Sequence, residues 1–406
     1  MKIVLKQIGF IAISLFINIS YCFSQNVVGN FTVNSIISPN NWGKSLLNTE
    51  IDSSVTLVGL GEFSHGSKDL FSLKADLANF LIKEKGFDLV LLEYPDIALR
   101  TLNEYLTTDS IYTEVAELKV IKDNLLSSYK TEEMIAFIKQ IKQINVGTAK
   151  KIQLRGIDIN ESVFPAIAYI VYRHNLPRDY QSTATLGTTA TTISDEEKFT
   201  IVKEWIKGNE KSLQQKMTAQ AFLELKLDMQ NAEASYRLKK IKNLTFSRDS
   251  MMAENVKALS SGHRAIIWAH NLHLMKSTHP YSGSLNLGGY LTSYYGNKYY
   301  AILTDFSTEA AAYVYSASKT DNKRAFNIQK YMPIRKSLGS MINLKNEAPA
   351  VALILKKELK DPNYVINLNT IDFSGKLFLC SQMKKAPVNF DAVIVLKNVA
   401  ASSLIK

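Results

Sequence analysis

Disulfide chemistry is almost missing from this sequence. Two cysteines, Cys22 and Cys380, stand among 406 residues. Cys22 falls in a start that has the marks of a cleaved leader. Met1, Lys2 and Lys6 supply positive charge, IGFIAISLFINIS (Ile8–Ser20) is apolar but short for a membrane span, and small residues follow at Cys22 and Ser24. A signal peptide over residues 1–24, cut near Ser24/Gln25, is expected, which delivers the chain to the periplasm or the exterior. The rival reading is a lipid anchor on Cys22, against which Tyr21 is bulky for a lipobox. Cleavage leaves Cys380 alone and excludes an internal disulfide, so a chain of this length must rest on its packed core. Within KLFLCSQM, Cys380 reads as a small buried hydrophobe rather than a nucleophile.

Other absences narrow the function. No later segment is long and apolar enough to span a bilayer. No zinc-finger, RNP-type or basic-helix pattern occurs. The net charge of +11, or +9 once Lys2 and Lys6 leave, comes from lysines spread along the chain, which describes a solvated surface and no nucleic-acid partner. G-x-S-x-G is missing, since Ser64 has Glu62 two residues before it, so a serine nucleophile on an elbow is not expected. Walker and dinucleotide glycine patterns are missing, as is H-E-x-x-H, and no cofactor or metal is expected. No internal repeat occurs.

What remains is a chain that is 46% hydrophobic and rich in short apolar runs with helical patterns between them. Residues 55–62, 88–93, 151–158, 265–270 and 298–306 read as strands, with a late strand over 391–397. Residues 68–85 read as a helix closed by Gly86, with Leu70, Leu73, Leu77, Phe80 and Leu81 at helical spacing. Residues 131–144 read as a helix capped by Thr131, with acids in its first turn. A threonine-rich stretch over 182–194 lacks any period and reads as a loop. Ser194 and Glu197 then form a capping box that opens a long helical region. The expected fold class is α/β, a mostly parallel sheet flanked by helices, with an inserted helical subdomain at about 195–260 within one domain over residues 25–406.

Open α/β sheets bind ligands at the carboxyl ends of their strands, and here those ends carry chemistry. Glu62 closes the first run, with His65 just beyond it in GEFSHG. Glu93 closes the second and Asp158 the third. His270 closes the fourth, with His273 three residues on. Only six histidines occur in the chain, and three of them gather here. Each residue also has a plain structural role open to it. Glu62 can cap the next helix, His65 can sit in a turn, Glu93 can pair with a lysine, and Asp158 can be an N-cap. His270 and His273 at i, i+3 can share a metal, or one can orient the other. His174, His263 and His279 lack such context and read as ordinary residues. Taken together, a histidine of near-neutral pKa beside a carboxylate can take a proton from water, while a second histidine or a cation stabilises an oxyanion. That set suits hydrolysis of a polarised bond such as an ester.

Several stretches resemble the erythromycin esterase family. They are GEFSHGSKDLFSLKADLANFLIKEKGFDLVLLE, then RGIDIN, SRDSMMAENV, WAHNLHL and PVNFDAVIVLKNVAASSL, in order from about residue 55 to the C-terminus. The resemblance implies an α/β core with a helical portion, and hydrolysis of the macrolactone ester of macrolides such as erythromycin, with no metal required. It implies that His65 is the general base, that Glu62, Glu93, His270 and His273 line the site, and that Arg248 does too. Lys74, Arg248, Asp158 and Asn271 are the implied substrate-binding residues. Lys74 stands where an arginine is expected, and Tyr129 where a tryptophan is expected. These departures bear on the substrate more than on the reaction class. Alternatives are an esterase acting on another envelope or small-molecule ester, and a binding protein of the same fold that holds a metal or other ligand without turnover.

Overall fold

The computed structural model describes residues 24–28, 31–36, 42–125, 127–159, 167–176, 195–240, 244–277, 284–317, 324–342, 351–361, 364–380 and 389–405. The leader reading, apart from Ser24, the threonine-rich stretch, Ser194 of the capping box and His279 lie outside them. Among the described residues no helix is long and apolar enough to cross a membrane.

Twelve strands form in the described residues. They are β1 (Ser24–Val28), β2 (Phe31–Ile36), β3 (Leu57–Glu62), β4 (Leu89–Pro95), β5 (Gln153–Asp158), β6 (Ala265–His270), β7 (Tyr299–Ala317), β8 (Arg324–Tyr331), β9 (Val351–Leu355), β10 (Asn369–Ile371), β11 (Leu377–Leu379) and β12 (Ala392–Val399). Ten of them make one sheet in the order β1-β2-β9-β12-β7-β3-β6-β4-β5, with β8 paired to β7, and β10 and β11 make a separate hairpin. The run from β12 to β5 is parallel throughout, and β1, β2, β9 and β8 add antiparallel pairings. The fold is thus a mostly parallel sheet with flanking helices.

The apolar runs have a direct cause. Successive side chains on a strand face opposite sides, and both sides of this sheet are covered. On one side Val58, Leu60, Val90, Leu92, Ile266 and Trp268 pack against the helices Lys68–Lys85 and Glu132–Asn145. On the other, Leu57, Leu89, Leu91, Ile267 and Ala269 pack against Leu244–Leu259 and Leu287–Tyr295. A strand buried on both faces cannot alternate with polar residues. The helix Lys68–Lys85 ends at Gly86, whose φ of 71° lets its N–H turn back to Leu81. Thr131 caps Glu132–Asn145 by accepting from the Met134 N–H at 3.2 Å. Between β5 and β6 lie the helices Asp195–Gly208, Glu210–Lys216, Ala219–Lys240 and Leu244–Leu259. A separate apolar cluster including Ile170, Phe199, Val202, Leu225 and Met229 packs among them and the helix Ile167–Arg173. Cys380 is buried, and burial pushes its thiol up to about 12, which leaves it an inert hydrophobe.

Two differences from the sequence reading matter. The strand expected over 298–306 runs on to Ala317, because its second half, rich in alanine and therefore ambiguous by pattern, finds β8 as an antiparallel partner. The strand-end turn is also tied down from afar. The carbonyl of Gly66, a residue with φ 72°, accepts from the Tyr313 and Ser402 N–H groups, and the Phe63 N–H donates to Thr304 Oγ1 at 3.1 Å. Gly61 serves a close approach instead. A Cβ there would lie 2.4 Å from Asn271 Oδ1 and 3.0 Å from the Ile302 carbonyl oxygen. Gly61→Ala is therefore expected to destabilise the fold by about 1–3 kcal/mol through overpacking, measured as a lower midpoint in urea unfolding.

Candidate active site

Strand order decides what meets at the carboxyl edge. β6 lies between β3 and β4, so Glu62 pairs in register with His270, and the neighbouring ends bring Glu93 and Asp158 alongside. The four strand-end groups thus line up as Glu62, His270, Glu93, Asp158 across the sheet, an order the chain itself does not have.

Glu62 is fully buried and does not cap a helix. Its Oε1 accepts from His65 Nδ1 at 2.7 Å, and its Oε2 accepts from Lys74 Nζ at 2.7 Å and from Trp268 Nε1 at 3.0 Å. Burial alone would raise its pKa, yet the Lys74 ammonium and the His65 bond outweigh that and hold it at about 2. Lys74 is itself fully buried, with Nζ 4.5 Å from the centroid of the Trp268 ring. Burial lowers its pKa to about 8 despite Glu62. Lys74, expected to bind substrate, faces Glu62 in this structure. It is the counter-ion of Glu62, placed there because it lies on the inward stripe of its helix with Phe71 and Leu77.

His65 keeps 20% of its side chain exposed. With Nδ1 held by Glu62, its Nε2 has no protein partner among the described residues. Burial disfavours the imidazolium, but the Glu62 bond and the charges of Glu62 and Glu93 prevail and raise its pKa above the ordinary value.

His270 has the opposite setting. It is buried, its Nδ1 accepts from the Leu272 N–H at 3.3 Å, and its Nε2 lies 3.2 Å from the carbonyl oxygens of both Phe63 and Ile371. Only a neutral ring with its proton on Nε2 satisfies these partners. Burial, then the neighbouring His65, lowers its pKa to about 4. His270 therefore caps the short helix Asn271–Leu274 and clamps the β3 exit to β10. Its backbone N–H also donates to Glu93 Oε2 at 2.9 Å.

A second charged network adjoins the first. Arg248 donates from Nε to Asp158 Oδ1 at 2.8 Å and from a terminal nitrogen to Asp158 Oδ2 at 2.9 Å, and the same nitrogen reaches Glu93 Oε1 at 2.8 Å. Asp158 is thus an ion-pair partner of Arg248, and Glu93 pairs with arginine rather than lysine. His273 lies between carboxylates, with Nδ1 2.6 Å from Asp249 Oδ1 and Nε2 3.1 Å from Glu93 Oε1. Burial opposes its charge, but Asp249 and Glu93 raise its pKa to about 10, which favours the imidazolium. Asn271, expected to bind substrate, is fully buried and holds backbone groups. Its amide donates to the Thr304 carbonyl at 2.8 Å and accepts from the Thr304 N–H at 3.2 Å, joining β7 to the end of β6.

Asp249 and Trp268 were not singled out from the sequence, although both lie in motifs that were, SRDSMMAENV and WAHNLHL. A carboxylate next to Arg248 and an indole N–H two residues before His270 were the available signals. His174 and His263 pair with Asp228 and Asp88 at 2.7 and 2.9 Å, away from this edge. Among the described residues no group of three or more His, Cys, Asp or Glu is arranged to hold a metal ion.

The erythromycin esterase profile matches residues 82–333. That span includes Glu93, Asp158, Arg248, His270 and His273 and begins beyond Glu62, His65 and Lys74. No curated protein matches the chain in sequence. Among solved structures, a Bacillus cereus protein is 20% identical, with a TM-score of 0.67 over 91% of this chain and 95% of its own. A succinoglycan biosynthesis protein is 21% identical, with a TM-score of 0.63 over 87% and 90%. A mutant of the erythromycin esterase EreC in its open conformation is 18% identical, with a TM-score of 0.62 over 87% and 93%. At these identities the likeness is one of fold.

His273 yields a prediction whose sign is fixed. Its pKa rises on folding from 6.5 to about 10. Its stabilising contribution is therefore complete below pH 6.5 and fades as the pH climbs toward 10. The gap in unfolding free energy between wild type and His273→Gln, followed by urea titration at several pH values, should be widest below pH 6.5 and should narrow steadily above it.

Proposed function

The chain belongs to the erythromycin esterase family, and from that premise we propose that it hydrolyses an ester bond with water, the macrolactone of a macrolide such as erythromycin being the substrate. The observation that carries this reading is the His65–Glu62 pair at 2.7 Å. A buried carboxylate held as an anion orients the imidazole and raises its basicity, while the other ring nitrogen stays open to water. His65 takes a proton from water as the water oxygen adds to the ester carbonyl carbon. It then returns the proton to the departing alkoxide when the carbon–oxygen bond breaks. Arg248, 25% exposed and fixed by Asp158 and Glu93, supplies positive charge next to the reacting group. Burial opposes that charge, but Asp158 and then Glu93 raise the pKa of Arg248, so the charge persists at every working pH. Glu93, His270 and His273 act here by position. They hold Arg248 and the turn after β3, and neither histidine is a free acid or base. The reaction draws on no cofactor or metal.

The same reading includes export. The basic and apolar start of the chain supports a leader cut near Ser24/Gln25, which would leave β1 intact apart from Ser24. An enzyme outside the cytoplasm would meet an antibiotic before the antibiotic reached its target.

The deciding experiment is mass spectrometry of erythromycin incubated with the mature protein. A gain of one water is expected, with a rate about 100-fold or more lower in His65→Ala. Unchanged erythromycin, or equal turnover by the variant, would sink the proposal. The rate should rise with pH through the pKa of His65, so its ascending limb should be centred above pH 6.5. Glu62→Gln removes the charge that raises this pKa and should move the midpoint to lower pH.

A further inference from the structure

Hydrolysis by water creates an oxyanion, and most of the donors near His65 are already committed. Lys74 Nζ is buried against Glu62 and Trp268. The Trp268 N–H goes to Glu62, and the Asn271 amide goes to Thr304. The His270 Nε2–H faces two carbonyls, and both His273 nitrogens face carboxylates. The Ser64 hydroxyl donates to the His65 carbonyl, and the Thr304 hydroxyl donates to the Gly61 carbonyl. On Arg248, Nε and one terminal nitrogen are taken by Asp158 and Glu93. Its other terminal nitrogen lies 3.2 Å from His273 Nε2 and carries two hydrogens, of which that contact can take only one.

One further donor stands beside His65. Tyr129 is 4% exposed, and its buried hydroxyl has no hydrogen-bond partner among the described residues. Buried polar groups are nearly always paired, so each exception asks for a reason. The ring is held firmly. It stacks on Phe71 at 6.1 Å, meets Tyr94 edge-on at 5.7 Å and lies 6.5 Å from the His65 ring. It ends the turn Ser127–Tyr129, and its carbonyl accepts from the Thr131 N–H at 2.8 Å just before a capped helix. Burial first, then the charges of Glu62, Glu93 and Asp158, hold the phenol well above its ordinary pKa. It therefore keeps its proton and can only donate to a charged oxygen.

We propose that Tyr129 is a further catalytic residue, whose hydroxyl donates a hydrogen bond to the oxygen that becomes negative as water adds to the ester carbonyl, alongside the open nitrogen of Arg248. The inference rests on the hydrolytic reading of this site. Water loses its proton to His65, the carbonyl electron pair moves onto oxygen, and that oxygen accepts from Tyr129 and Arg248. When the pair returns, the ester carbon–oxygen bond breaks and the alkoxide takes the proton from His65. Tyr129 keeps its proton throughout.

The test compares Tyr129→Phe with wild type under two probes. With erythromycin, kcat should fall about 100-fold with KM within about twofold of wild type, as expected for a donor used only in the transition state. The melting temperature should stay level or rise, since a buried hydroxyl without a partner has been removed. A kcat within about threefold of wild type overturns the proposal. The second probe is methylphosphonate, a small tetrahedral anion, with binding read by calorimetry. Its affinity should be at least about fivefold weaker in the variant, and equal affinity, or binding by neither protein, overturns the proposal. If wild type leaves erythromycin intact, the macrolide reading has failed, and the methylphosphonate comparison alone decides the role of Tyr129.

Discussion

The Glu62 carboxylate is the constraint around which the carboxyl edge of the sheet is built. An anion with no solvent contact is unfavourable by several kcal/mol unless its partners are well placed. Here three donors converge on it, from the turn after its own strand, from the following helix and from the neighbouring strand. Each reaches it only if β3, β6 and the helix Lys68–Lys85 hold their relative positions. Removing one partner of such a pair typically costs about 3–5 kcal/mol, because the other charge is left buried and uncompensated. The interaction that orients His65 therefore also locks a strand, a turn and a helix together.

The charges beyond Glu62 follow a simple division. Lys74, Arg248 and His273 stand as cations against Glu62, Glu93, Asp158 and Asp249, and every one of these groups is committed to another. His270 is neutral and joins the two networks, with its ring on the Phe63 and Ile371 carbonyls and its backbone on Glu93. His65 is thus the imidazole of the site with an open nitrogen and a titratable proton. Two histidines three residues apart on one turn are driven in opposite directions, His270 down to about 4 by burial and the neighbouring His65, and His273 up to about 10 because Asp249 and Glu93 outweigh its burial.

Elsewhere the same device holds the helical segment to the sheet. Asp96 pairs with Arg155 and Arg100, and Arg100 makes a two-pronged pair with Asp228 on the helix Ala219–Lys240. Burial disfavours the Asp96 anion, but the two arginines hold its pKa at about 2. Buried ions paired this way add directional contacts to the apolar clusters on each side. They fix the register between β5 and the helices that carry Arg248 toward Asp158.

Much of the fold was legible in the sequence, and so was the set of polar groups at the carboxyl edge of the sheet. Apolar runs marked the parallel strands because burial on both faces leaves no room for alternation. Thr131 and Gly86 marked helix ends because capping is local. The strand ends announced Glu62, Glu93, Asp158 and His270 because polar residues there have few structural reasons to exist. The antiparallel additions β8 and β9 were not legible, since an alanine-rich or short apolar run becomes a strand only when a partner arrives. The roles of the site residues were not legible either. Lys74 read as a substrate cation and is a buried counter-ion, Asn271 read as a ligand and fastens β7, and the two histidines read alike and carry different charge. The sequence by itself determined which chemical groups reach the edge of the sheet. Only the tertiary structure decided which of them meet, through the placing of β6 between β3 and β4. It thereby also decided which are charged and which keep a free valence, because protonation and hydrogen bonding depend on neighbours in space that chain order does not specify.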